Sequence, residues 1–95
     1  MAAYYLTIPE ITDEEEIVSF SHGSTDRSFN VVINLGETAT RLFQAASNGT
    51  RIPLVVLVIG EVMIALDEVY VTSVQSGGND ALLAVTFDAE GVRSV

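Results

Sequence analysis

Only one stretch of this chain has a helical period, and that restricts the possible folds more than any other feature. Within residues 38–48, Ala39, Leu42, Phe43 and Ala46 fall at i, i+3, i+4 and i+7, which puts four apolar side chains on one face. Thr40, Arg41, Gln44 and Ser47 take the other face. Thr38 is the expected N-cap, and Glu37 sits near the positive end of the helix dipole. Asn48-Gly49 ends the helix, because glycine reaches the left-handed conformation of a C-cap. A helix of about three turns is marginal alone. Its Leu42/Phe43 face therefore needs a sheet to pack on.

The rest of the chain alternates with a period of two. Residues 3–8 read as a strand with Tyr4, Leu6 and Ile8 on one face, ended by Pro9, which donates no N–H. Residues 12–16, TDEEE, read as an acidic loop. Ile17 to Ser21 is a second strand with Val18 and Phe20 on one face, and His22 to Asp26 is turn-rich. Phe29, Val31, Ile33 and Leu35 alternate with Asn30, Val32 and Asn34, the pattern of one buried and one partly wet face. After the helix, Ile52 to Ile59 is apolar without interruption beyond Pro53, as in a strand covered on both faces. Gly60 turns the chain back in a hairpin with almost no loop. Asp67-Glu68 marks a bend or bulge in one long strand that continues over Val69 to Gln75. Residues 76–80, SGGND, form a turn, and Ala81 to Phe87 returns. Asp88 to Gly91 is expected to break that strand before a short terminal one over residues 92–95. About seven strands with one inserted helix predict a mainly β protein, a small antiparallel barrel or sandwich with one flanking α-helix, in a single domain over residues 1–95.

Composition bounds the function. The chain has 95 residues and is 48% hydrophobic. A chain this short buries only about two-thirds of its unfolded surface. So much apolar side chain implies cover from partner subunits, the alternative being a monomer with an unusually apolar surface. The formal charge is −9, from 13 acids against four arginines, with no lysine. Such a surface repels nucleic-acid phosphate and anionic membrane, so neither is an expected partner. The longest apolar stretch, Leu54 to Leu66, is interrupted by Gly60-Glu61 and is too short to span a bilayer, which takes about 20 residues. The first 16 residues lack the basic and apolar regions of a signal peptide, so cytoplasmic assembly is expected.

No chemistry-bearing constellation emerges. The absence of cysteine excludes disulfides, thiolate nucleophiles and Cys-type zinc sites. His22 is the only histidine, and a lone turn histidine is solvated far more often than it is a ligand or base. Ser21 and Ser24 lie near it, with no nucleophile elbow and no orienting acid. The TDEEE run lacks the glycine and distal glutamate of an EF-hand. Asp67 and Glu68 fail as a catalytic pair, because adjacent strand residues point to opposite faces. Asn48-Gly49-Thr50 matches a glycosylation acceptor, but the helix C-cap already accounts for Asn-Gly. No catalytic residue, metal site or cofactor is expected, and the chain reads as a non-enzyme.

Several segments, in order, resemble the haemolysin-coregulated protein family, the inner-tube proteins of type VI secretion systems. Ile17-Val18-Ser19-Phe20-Ser21-His22-Gly23 is similar to that family's early strand, which ends in an S-x-S-W-G-like run. Residues 39–53, ATRLFQAASNGTRIP, resemble its helix, where a Leu-Leu-x-Ala-x-x-x-Gly core precedes a basic residue and the next strand. Residues 64–78, IALDEVYVTSVQSGG, resemble its long strand with the pattern L-x-D-V-x-V-S-S-x-Q-x-G-G, and Leu83 to Phe87 its final core strand. In contrast to the family pattern, His22 stands where tryptophan is common. The connection from Gly23 to Phe29 is short, and Gly60 replaces a longer basic hairpin loop.

The resemblance implies a β-barrel that assembles as a six-membered ring and stacks into a conduit. The implied partners are further copies of the chain and the sheath, spike and effector proteins of a contractile injection system. Contacts between copies would also cover exposed sheet edges. Val56, Val58, Tyr70 and Thr72 are the candidate residues for a subunit interface or a doubly buried strand. The alternative function is a small barrel that binds a peptide or small ligand, although a barrel this narrow has an interior filled by side chains.

Overall fold

The computed structural model describes residues 4–9, 11–22, 27–76 and 81–94, without the side chains of Thr12, Asp13, His22 and Ser76. The strands are β1 (Tyr4–Ile8), β2 (Thr12–His22), β3 (Ser28–Asn34), β4 (Arg51–Ile59), β5 (Val62–Ser76) and β6 (Leu82–Ser94), with the helix α1 (Glu37–Asn48) between β3 and β4. They close into an antiparallel barrel in the order β1-β2-β3-β6-β5-β4. Closure leaves no sheet edge for a neighbour to cover, so the expectation that partners protect edges does not apply.

Side chains fill the interior. Phe29, Val31 and Ile33 of β3 point inward and meet Phe87, Val85 and Leu83 of β6 in direct register. Phe20 stacks on Phe29 with ring centroids 5.9 Å apart. Leu6 and Ile8 from β1 and Val55 and Leu57 from β4 close the other wall, fully buried. Burying side chains of this size stabilises by about 1.5–3 kcal/mol each.

Three strand irregularities depart from simple alternation. In β2 the register with β3 shifts between Ile17 and Ser19. Ile17 is buried and Val18 exposed, so Val18 and Phe20 do not share a face as alternation predicts. In β5, Glu68 has φ 53°, a left-handed conformation uncommon for a residue with a Cβ. The ladder keeps its register through this point, Leu54 opposite Asp67 and Ile52 opposite Val69. The buried positions nevertheless jump from Leu66 to Val69 on β5 and from Ile52 to Val55 on β4. This is the bend expected at Asp67-Glu68. A register shift follows later, between Val71 and Ser73.

Two further expectations need correction. The acidic run is not a loop: Thr12 to Glu16 opens β2 and pairs with β1, Glu16 opposite Tyr5 and Glu15 opposite Leu6. Ladder hydrogen bonds hold it extended while Glu14 and Glu16 face solvent. Nor does Asp88 to Gly91 break β6. Asp88 bridges Ser28 on one side and Tyr70 on the other, so pairing on both flanks overrides the weak local propensity. The short terminal strand is the continuation of β6.

The helix joins two strands that lie apart in the barrel order, and it packs against β5. Thr38, Ala39, Leu42 and Ala45 are its buried residues. Phe43 is not among them and is 55% exposed, so the apolar stripe is rotated away from the predicted 39/42/43/46 face. Gly36, not Thr38, occupies the N-cap, and no side chain caps that end. Thr38 lies inside the first turn, and Thr40 Oγ1 donates to the Gly36 carbonyl at 3.1 Å. At the other end Gly49 takes the left-handed conformation as expected. The N–H of Thr50 reaches Ala45 O at 3.0 Å, and that of Gly49 reaches Ala46 O at 3.4 Å. The turns at residues 23–26 and 77–80 lie outside the described residues.

Candidate functional site

The chemical candidates come apart in three dimensions. Among the described residues no three His, Cys, Asp or Glu side chains gather where they could hold a metal ion. His22 is the last residue of β2, and its side chain and Ser24 lie outside the described residues. Asp67 and Glu68 are each engaged by an arginine. Arg93 grips Asp67 with two donors, Nε to Oδ2 at 2.8 Å and Nη2 to Oδ1 at 2.9 Å. That paired hydrogen bond, more than the opposite charge, holds the Asp67 carboxyl below the usual carboxylate range and Arg93 above its ordinary value. Glu68 Oε1 is shielded from solvent and rests 2.8 Å from Arg51 Nε, a charge contact without good hydrogen-bond alignment. A carboxylate held ionised by a fixed partner is a poor general acid or base at neutral pH. What these pairs do is brace the bend, joining β4, β5 and β6 at one level.

The other two arginines are also engaged within the chain. Arg41 pairs with Glu37 one turn away on α1 at 3.2 Å, and Arg27 Nη1 donates to the Glu90 carbonyl at 3.2 Å. Every cationic side chain of the sequence therefore serves an internal contact, while the acids Glu14, Glu16, Glu61, Asp88 and Glu90 stand exposed.

Surface shape carries more information than charge. Of the residues singled out from sequence, Val58 points outward between Tyr5 and Met63 in the ladder and is still only 8% exposed. Val56 is half-buried on the same face. Tyr70 is 41% exposed, and Thr72, also exposed, donates its hydroxyl to the Thr86 carbonyl at 3.5 Å. The four do not form one patch. β4 contributes a covered pair and β5 an open one. Sequence reasoning missed a groove of about 230 Å³ beside α1, lined by Leu35, Ala39, Thr40, Phe43 and Leu83. The sequence did hold a signal for it. A stripe at 38, 39, 42 and 45 fits helical spacing as well as the one chosen, and it leaves Phe43 outside.

A closed six-stranded antiparallel barrel, with one helix between its third and fourth strands, can be compared with known structures. The structure aligns with Hcp2 from Salmonella typhimurium at a TM-score of 0.82 and 17% identity, over 96% of this chain and 83% of that one. The chain has the Hcp fold. A structure described as a type six secretion system protein aligns equally well, with a TM-score of 0.82 and 16% identity over 99% of this chain and 83% of that one. A type VI secretion system effector from Yersinia pestis gives 0.79 and 14% identity, over 97% of this chain and 96% of that one. No sequence-family profile and no curated protein sequence matches the chain. The likeness to Hcp is thus one of backbone architecture, carried by few identical residues. No helix among the described residues is long and apolar enough to cross a membrane.

Proposed function

We propose that this protein is a structural, non-enzymatic tube subunit of a type VI secretion or related contractile injection system. Residues 1–95 act as one barrel domain. Copies associate into a ring of six, and rings stack into a conduit for effector proteins within a sheath and behind a spike. Assembly takes place in the cytoplasm and export follows through the machine, without membrane insertion or nucleic-acid binding. The observation that carries this reading is the Hcp fold, which spans at least 96% of the chain in each of the three comparisons.

Surface character supports it. Leu35, Phe43, Val62, Met63 and Tyr70 are large apolar side chains left in water on a chain of only 95 residues. Tyr70 and Thr72 stand open on the outer face and are the two sequence candidates available to a neighbour. The interior holds packed side chains, which disfavours a ligand inside the barrel.

The test is oligomeric state. Light scattering and negative-stain images of the purified protein are expected to show rings of about six subunits. A monomer at every accessible concentration, with no rings on the grid, would sink the proposal.

A further inference from the structure

The barrel has two unlike ends, and its topology fixes what each carries. Because every pairing is antiparallel, β3 ends where β6 and β4 begin, and α1 lies there too. The β4–β5 turn, Gly60-Glu61, lies at the opposite end beside Tyr4. The helix end holds the groove lined by Leu35, Ala39, Thr40, Phe43 and Leu83, a lining without a charged side chain. Leu35 and Phe43 are 52% and 55% exposed there. The hairpin end presents Val62 and Met63, 53% and 40% exposed, directly after a two-residue turn. Gly60, with φ +67°, supplies the positive φ this tight turn demands, so the tip is short and stiff.

Charge completes the match. Glu61 projects from the tip, exposed, and makes no ion pair among the described residues. The groove begins at the first turn of α1, whose N-terminus has no side-chain cap and whose only acid, Glu37, is already paired with Arg41. The free N–H groups and dipole of that turn favour an approaching carboxylate.

We propose that the hairpin tip of one copy seats in the helix-end groove of the next. Val62 and Met63 lie against Leu35, Phe43 and Leu83, and the Glu61 carboxylate faces the open first turn of α1. This rests on the tube reading above and names its end-to-end contact. A second copy is the occupant because both halves of the match are on this chain. Copies of charge −9, with all four arginines engaged internally, can approach only where apolar surface or an uncapped helix offsets the repulsion. Two different surfaces joined this way repeat without closing, which gives a linear array rather than another ring.

The test uses two variants of exposed residues, Phe43→Asp and Met63→Asp. Each is expected to keep the wild-type circular dichroism spectrum and ring size but to lose stacking, read as the disappearance of rods from electron micrographs. Mixed in equal amounts, the variants retain one intact tip and one intact groove, so they pair ring to ring and grow no further. Glu61→Gln is expected to raise the concentration needed for stacking by roughly tenfold, about one ionic contact. If either aspartate variant stacks like wild type, or if the mixture shows no paired rings, the contact is overturned and the ring is untouched. A wild-type chain that never leaves the monomer overturns both. A groove that binds a foreign protein but no second copy overturns the contact alone.

Discussion

β3 and β5 share the barrel interior, but they reach it differently. β3 is seven residues long, and its inward side chains, Phe29, Val31 and Ile33, follow one another at every second position. β5 is 15 residues long and changes face twice, burying Leu66, then Val69 and Val71, then partly Val74. The first change comes at the left-handed Glu68, the second at the register shift before Ser73. A short strand can stay flat against one wall. One as long as β5 must coil to follow the barrel, and its irregularities supply the curvature.

The largest expected effect tests the regular wall. Phe29→Ala removes a fully packed ring that β6 and Phe20 enclose, and is expected to cost about 3–5 kcal/mol in a urea or guanidinium titration. A loss below about 1 kcal/mol would show that β3 does not anchor the core. An intermediate effect tests the bend. Glu68→Val forces a β-branched side chain into φ 53° and removes the Arg51 pair, for an expected loss of about 1–3 kcal/mol. Glu68→Gly relieves the strain while losing the same exposed pair, and its melting curve should lie close to wild type. If valine and glycine behave alike, backbone conformation does not set the bend.

The smallest effect is pH-dependent. Arg93 lowers the Asp67 carboxyl below its ordinary value of 3.8. The folded state therefore binds this proton less readily than the unfolded chain does. Its contribution is present above 3.8 and is lost as pH falls through the lowered folded value. Denaturation midpoints of wild type and Arg93→Gln are expected to differ above that value and to converge under acid. Curves that stay parallel down to the acid transition would remove the pair from the stability of the bend.

The same contrast explains how much of the molecule was legible beforehand. β3, the ends of β4, the Gly60 turn and the Gly49 cap follow from alternation and glycine, because each is decided by neighbours in the chain. Val18, Thr72 and the continuity of β6 are decided by pairing across the barrel, which local patterning does not record. Asp88 to Gly91 has poor strand propensity and is held extended by ladders on both sides. Phe43 is a different kind of miss. Ala45 is buried in its place because of how α1 rotates against β5, and two stripes of equal spacing cannot be separated from sequence alone. The candidate interface residues show the same limit. The apolar run of β4 is plain, but Val58 is sheltered by its own chain while Tyr70 is not.

Closure of the barrel has a mechanical consequence. β1 lies between β2 and β4, and β6 lies between β3 and β5, so neither the first strand nor the last is at a margin of the sheet. A force applied at either of these strands loads two ladders at once, and no loose thread exists from which to start unravelling. An unfolding enzyme that begins by peeling a strand would have to break two rows of hydrogen bonds before it gained any slack. For a part that must withstand being driven lengthwise, resistance of that kind comes from connectivity alone and adds nothing to the size of the core.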